Sequence, residues 1–328
     1  MAKVLGIVGT RPQLLKVDPL LCDVIVNTGQ HYDDDMAGQH LRQRKIKPKY
    51  NLGIDSENIG KMIDAIRDVI KRESPEIVVV YGDTYSTAAG ALAASWEGVA
   101  VAHVEAGLRC GDMSVPEEIN RIIADRLSSW RFCPTALAMN NLLNESLGDN
   151  THMVGDPLFD SLKEVLPTKK TKDYQKFILV TVHRRENLQK ENLTNIIGAL
   201  GKSGERVIFP MHPHTRRILK KFNIKIPKNI EVIKPVGRKE MVKLTTNAKK
   251  VVTDSGGLQR EAYWFLVPSV LLREACEWME IVEDGYSIMT GANELRILEA
   301  LSVPHPHRAI RYLPKYGANE KIRRILHV

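Results

Sequence analysis

The sequence predicts an α/β chain built as two parallel-sheet domains. Short apolar runs rich in Val and Ile recur along the whole chain, strand-length and without polar alternation, as in strands buried on both faces. Helix-period segments separate them, and β and α elements in alternation form a parallel sheet flanked by helices. The series also restarts: Pro167 and a polar stretch over 168–176 precede a second βα series that begins at Phe177. A length of 328 residues suits two domains.

In chain order, the candidate strands are 3–8, 24–27, 77–81, 100–104, 130–133, 177–182, 207–211, 231–234, 251–253 and 269–272. Fifteen residues separate Val8 from Val24, so the first helix is short. The segment 57–73 sets Ile59, Met62, Ile63, Ile66, Val69 and Ile70 at a 3–4 spacing, the pattern of a helix with one buried face. A small-residue helix is expected over 86–94, and Pro116 with Glu117 and Glu118 makes a good helix first turn. A helix over 158–166 closes the first domain, which spans 1–166, and the second spans 167–317. Its last helix falls at 293–301, a Pro- and His-rich segment follows at 303–316, and a terminal helix covers 319–326. Ligands of such sheets sit at the carboxyl ends of the strands, so the two domains are expected to face each other across a cleft.

Composition narrows the function. Hydrophobic residues at 43% and charged residues at 26% exclude a disordered chain, a collagen-like fibre and a disulfide-stapled scaffold. No apolar run approaches the ~20 residues of a membrane span, and the start of the chain lacks the length of a signal peptide. No membrane association is expected. Cys22, Cys110, Cys133 and Cys276 show no CxxC spacing, which suits a reducing cytoplasm and suggests neither zinc nor disulfides. The net charge of +8 favours an anionic partner, either nucleic acid or a phosphorylated small molecule. The basic groups are short (169–172, 216–217 with 220–221, 249–250), and the aromatics do not interleave with them. A stacking platform for single strands is therefore not indicated, and nucleic acid is not the expected partner.

The chemistry-bearing residues cluster at strand ends. Gly9-Thr10-Arg11-Pro12 ends the first strand, where a glycine lets backbone approach a ligand and Arg11 can pair with a phosphate. Lys16, a turn further on, adds charge there; the bland alternative is a tight turn with surface cations. The motif is not GxGxxG, so a dinucleotide cofactor is not expected. Gly82-Asp83-Thr84 ends the strand 77–81, where Asp83 is either a helix cap or a catalytic acid. Glu105 ends the next strand, inside 103–109 (HVEAGLR), and Glu117 follows in 116–121 (PEEINR), with Arg121. Carboxylates converging on a strand-end site must pair or titrate, which makes them acid/base candidates.

In the second half, His183 leads the run 183–187 (HRREN) at a strand end and can act as an acid or a phosphate donor. His212 and His214 end the next strand, but no third ligand with regular spacing accompanies them, so no metal site is expected. Thr253-Asp254-Ser255-Gly256-Gly257 runs from a strand into a helix whose free N–H groups form an anion site, unless Ser255 is a plain cap. Glu261 lies one to two turns into that helix, where a carboxylate can accept from a ribose diol, and Arg273 ends the following strand.

Together these motifs resemble the non-hydrolysing UDP-N-acetylglucosamine 2-epimerase family over nearly the whole chain: 9–12, 82–84, 103–109, 116–121, 183–187, 254–262 and 273–277, in the family's order. The resemblance implies two Rossmann-like domains in the GT-B arrangement, with the C-terminal helix 318–328 returning to the first. It implies a cytoplasmic homodimer that needs no nicotinamide or metal. UDP leaves the sugar, a carboxylate removes the C2 proton to give 2-acetamidoglucal, and reprotonation from the other face with return of UDP inverts C2. It assigns Asp83, Glu105 and Glu117 as the acid/base carboxylates and His183 as the group that stabilises the leaving diphosphate. Arg11, Ser255, Gly256 and Glu261 would hold UDP, and Lys16, Arg121, His212 and Arg273 would add polar contacts. Three positions depart from the family: the short first helix, Asp156 where Asn is common, and Met279 after Glu277-Trp278. The pair Glu277-Trp278 is similar to relatives that act on diacetamido uronic acid nucleotides. The region after Gln30 and His31 differs from bacterial members, so their regulation by a second UDP-GlcNAc is not carried over. Two other classes compete: a GT-B glycosyltransferase using a UDP-sugar, which has no need of three strand-end carboxylates, and a basic nucleic-acid binding protein.

Overall fold

The computed structural model describes residues 3–30, 46–55, 58–166, 177–306 and 310–328. Pro167, the polar stretch 168–176 with its basic group, and His31 lie outside the described residues. The chain forms two compact units, Met1–Glu164 with Pro314–Val328, and Val165–Leu313.

The first unit holds β1 (Val4–Val8), β2 (Val24–Asn27), β3 (Tyr50–Asn51), β4 (Ile77–Tyr81), β5 (Ala100–Val104), β6 (Trp130–Cys133) and β7 (Thr151–Met153). All pair in parallel, in the order β3-β2-β1-β4-β5-β6-β7. Its helices are α1 (Arg11–Lys16), α2 (Ile59–Glu73), α3 (Tyr85–Trp96), α4 (Pro116–Leu127), α5 (Ala136–Asn144) and the single turn α6 (Pro157–Asp160). The α2 stripe of Met62, Ile63, Ile66, Val69 and Ile70 packs with Leu5, Ile7, Val78 and Val80 of the sheet. Full burial of each such side chain stabilises by about 1.5–3 kcal/mol. α3 is buried along most of its length because its Ala, Ser and Gly residues let neighbours approach closely.

The second unit holds β8 (Ile178–Thr181), β9 (Val207–Pro210), β10 (Ile230–Ile233), β11 (Lys250–Thr253), β12 (Ser269–Leu271) and β13 (Ser287–Met289), parallel in the order β10-β9-β8-β11-β12-β13. Its helices are α7 (Lys190–Lys202), α8 (Pro213–Lys221), α9 (Arg238–Asn247), α10 (Gly256–Trp264), α11 (Met279–Glu283) and α12 (Glu294–Ser302). The terminal helix α13 (Ala318–Leu326) belongs to the first unit, where Ile322 and Leu326 pack with Val4, Val8 and Leu14 and Arg323 pairs with Asp18.

Both strand orders reverse once, between β1 and β4 and between β8 and β11. Such reversals open a crevice at the carboxyl ends of the two strands, which is where ligands of open α/β sheets bind.

Among the described residues, three strands were not expected. β3, β7 and β13 lie at or next to sheet edges and are two or three residues long, with mixed polarity, so they carry no continuous apolar run. The strand expected at 231–234 runs Ile230–Ile233, and the helix expected over 57–73 runs Ile59–Glu73. The helix expected over 158–166 is α6 followed by a 3-10 turn, Ser161–Glu164. Tertiary hydrogen bonds compete with a longer helix here: the Asp160 carboxylate accepts from the N–H groups of Gly317 (2.7 Å) and Asn319 (3.0 Å).

Candidate functional site

In the first unit the site builds outward from Gln13. Its Oε1 accepts from the N–H groups of Gly9 (2.7 Å) and Thr10 (3.1 Å), while its Nε2 donates to Tyr81 O (2.7 Å) and Thr84 Oγ1 (2.9 Å). One buried amide thus ties the β1–α1 turn to the β4–α3 turn at the strand-order reversal. Sequence reasoning missed Gln13; its only local signal is the spacing Thr10–Gln13, a capping box at the start of α1. Arg11 is the first residue of α1 and half-buried.

Gly82 takes φ +66°, the left-handed region that glycine enters at little cost. A Cβ at Gly82 would lie 3.4 Å from Lys16 Nζ and 3.8 Å from Glu105 Oε1, so backbone passes directly beside that pair. Lys16 Nζ lies 2.5 Å from Glu105 Oε2, and both side chains are buried. Glu105 itself has φ +74°, a conformation that costs a non-glycine residue of order 1 kcal/mol or more and is concentrated at functional sites.

Asp83 is not the cap of α3; that position belongs to Thr84. The Asp83 carboxylate instead pairs with the buried guanidinium of Arg121, whose Nη1 also donates to Glu118 Oε2 at 2.5 Å. Asn120 Nδ2 donates to the Asp83 carbonyl at 3.1 Å. The two glutamates of the α4 first turn divide their roles. Glu118 accepts from the N–H groups of Cys110 (3.1 Å) and Gly111 (2.9 Å). Burial alone would raise its carboxyl, but those backbone donors and Arg121 outweigh it and hold it below the usual glutamate range. Glu117, beside it, is half-buried on the same turn. The structure therefore brings Lys16, Asp83, Glu105 and Arg121 together around two adjoining strand ends, with Glu117 on the helix that carries Arg121.

In the second unit His183 follows β8, and its Nδ1 lies 2.8 Å from Asp254 Oδ1 at the end of β11. Asp254 is fully buried, and its Oδ2 accepts from the N–H groups of His183 and Arg184, each at 2.9 Å, and from Asn187 Nδ2 at 3.2 Å. Burial pushes this carboxyl up, but the His183 charge and these donors hold it far below the usual carboxylate range. Asp254 was visible as part of a motif but had no role assigned; its position at the strand end, two residues before a Gly-Gly pair, was the available signal. More than half of the His183 side chain stays exposed, leaving the ring able to meet a ligand.

Ser255 caps α10, its Oγ accepting from the Leu258 N–H at 3.3 Å. Gly256, the first helical residue, lies over the ion pair of Arg273 Nη2 and Glu277 Oε2 (2.7 Å), and a Cβ there would meet Glu277 Oε1 at 2.8 Å. Backbone N–H groups at a helix start beside an arginine form an anion site. Arg260, one turn on, places its guanidinium 4.1 Å from the Trp278 ring centroid. Glu261 is buried and pairs with Arg238, the first residue of α9, a partner the sequence did not suggest. His212 follows β9, where it caps α8 through Nδ1, accepting from the His214 N–H at 3.2 Å.

Comparison with known proteins identifies the family of the chain. The family model described as UDP-N-acetylglucosamine 2-epimerase matches residues 14–328. A protein of Methanococcus maripaludis named UDP-N-acetylglucosamine 2-epimerase homolog is 44% identical, over 93% of this chain and 93% of the relative. The UDP-2,3-diacetamido-2,3-dideoxy-D-glucuronate 2-epimerase of Pseudomonas aeruginosa is 40% identical, over 91% of each. The solved structure of Methanocaldococcus jannaschii UDP-GlcNAc 2-epimerase in complex with UDP-GlcNAc and UDP matches with a TM-score of 0.90 at 37% identity, over 99% of each chain.

Proposed function

The chain belongs to the UDP-N-acetylglucosamine 2-epimerase family, and we propose that it inverts C2 of a UDP-N-acetylhexosamine by elimination and re-addition of UDP. The C2 hydrogen of such a sugar is not acidic, because no carbonyl stands beside it. Breaking the anomeric C–O bond sends its electron pair to the UDP oxygen and leaves an oxocarbenium-like centre at C1. That centre acidifies the C2 proton, a carboxylate takes it, and the C1–C2 double bond of 2-acetamidoglucal forms. Protonation of C2 on the opposite face and return of the UDP oxygen to C1 give the epimer, with atoms and charge balanced.

The observation that carries this reading is the carboxylate set of the first unit. Asp83 and Glu105 end neighbouring strands and each is paired with a buried cation, Arg121 and Lys16. Glu117 completes the acid/base group. Residues 1–166 with the terminal helix 318–328 supply proton transfer. Residues 167–317 supply UDP binding, through the α10 N-terminus, Arg273 and Glu261, with His183 donating to the departing diphosphate. Arg11 and His212 add polar contacts to the nucleotide sugar. The proposed assembly is a homodimer, and light scattering at the mass of one protomer would contradict it.

One observation favours a second substrate. Arg260 over Trp278 and Arg273 on Glu277 accompany 40% identity to a diacetamido-glucuronate epimerase. Incubation with UDP-GlcNAc and with UDP-2,3-diacetamido-2,3-dideoxyglucuronate, followed by proton NMR of the anomeric region, separates the two. Conversion of neither to a C2 epimer would overturn the proposed activity.

A further inference from the structure

We propose that His103 and Asp125 are positioning residues for the epimerase chemistry, locking the two carboxylate-bearing turns of the first unit to one buried anchor. His103 lies on β5 and Asp125 on α4, and neither side chain is exposed to solvent. His103 Nδ1 lies 2.7 Å from Asp125 Oδ1, and its Nε2 lies 2.7 Å from the Gly82 carbonyl oxygen. Both ring nitrogens thus lie at hydrogen-bond distance from an oxygen, one a carboxylate and the other a backbone carbonyl. The Gly82 peptide it holds leads directly into Asp83 and passes beside Lys16 and Glu105.

The same Asp125 carboxylate reaches the second turn. It accepts from the Gly107 N–H at 3.2 Å, two residues after Glu105. The turn is held from other sides as well: Phe132 O accepts from the N–H groups of Glu105 (3.0 Å) and Ala106 (3.1 Å), and Asn141 Nδ2 donates to Gly107 O at 2.9 Å. Arg109 fixes the anchor in turn, with Nη1 donating to Asp125 Oδ2 at 2.7 Å while Nε and Nη2 hold Glu145 at 2.7 and 2.8 Å. Burial raises the Asp125 carboxyl, but the charges of His103 and Arg109 outweigh it and keep it below the usual carboxylate range. A strained backbone at Glu105 persists only where its surroundings over-determine it, and Asp125 is the group shared by that turn and the Asp83 turn. The link matters for rate because a misplacement of about 1 Å at reacting groups costs on the order of a hundredfold.

The test uses the full chain with His103→Ala, His103→Gln and Asp125→Asn. The Gln amide can still donate to the Gly82 carbonyl, whereas Ala cannot. His103→Ala should lower kcat by about a hundredfold per folded molecule with KM and UDP affinity within about threefold, and His103→Gln should recover about tenfold of that loss. A kcat for His103→Ala within about threefold of wild type, or equal kcat for Ala and Gln, overturns the proposal. If His103→Ala does not fold, Asp125→Asn decides: unchanged kcat with unchanged UDP affinity overturns it, and a selective loss of kcat supports it. The kinetic arm rests on the proposed epimerase activity, so amide hydrogen exchange gives an arm that does not. Faster exchange at both Gly82 and Gly107 in Asp125→Asn, without loss of global protection, supports a shared anchor. Unchanged protection at either turn overturns it even if no sugar tried is turned over.

Discussion

Lys16 and Glu105 form a buried ion pair between α1 and the end of β5, with Nζ 2.5 Å from Oε2. A residue in the first helix of the unit thereby neutralises a carboxylate that arrives almost ninety positions later, and the Gly82 backbone passes beside both. Breaking one half of such a pair strands a charge in a dry site, at a cost of about 3–5 kcal/mol. Lys16→Met should therefore lower thermal stability sharply, and adding Glu105→Gln should restore most of it while leaving turnover lost. Recovery of activity together with stability in the double variant would show that the pair serves folding alone.

A variant of the proposed diphosphate site at the α10 start separates binding from chemistry. Gly256→Asp sets a Cβ 2.8 Å from Glu277 Oε1 and adds a negative charge at the α10 start. Calorimetric titration should detect no UDP binding, with unfolding still cooperative. UDP affinity equal to wild type would remove the α10 start from the site.

Asp83→Asn and Glu117→Gln keep size and remove charge. Each should leave UDP affinity within about tenfold and cut turnover by about 10²–10⁴, the scale of losing a general acid or base. Near-normal turnover in both would take these residues out of the mechanism.

Asp254 links the site to acid stability. Its carboxyl is held far below the usual range in the folded chain, so its contribution is present above the unfolded value of about 3.9 and fades as pH falls below it. Melting temperatures of wild type should therefore drop from pH 5 toward pH 3, and Asp254→Asn should flatten that acid limb while lowering the plateau near pH 7. An unchanged acid limb in the variant would assign acid sensitivity to other carboxylates.

The long buried strands were legible because burial on both faces leaves an unbroken apolar run, as in Ile77–Tyr81 and Ala100–Val104. β3, β7 and β13 were not, because short peripheral strands are fixed by their neighbours rather than by their own polarity. Within the site, strand-end position singled out Asp83, Glu105, His183 and Ser255. It could not reveal Gln13, Arg238 or the partner of each carboxylate. Those depend on pairs 68 positions apart for Gln13 and Tyr81, and 23 apart for Arg238 and Glu261, and local spacing does not encode them. Asp125 escaped notice for the same reason: it sits inside a helix, and only the fold turns it toward β5.

The central claim is that C2 loses its hydrogen to a carboxylate and regains one from exchangeable protons. Proton NMR of wild-type protein with UDP-GlcNAc in D2O tests it most directly, with the diacetamido-glucuronate analogue run in parallel. The account predicts a C2 epimer that grows in with deuterium at C2. An epimer that keeps its original C2 hydrogen would contradict it.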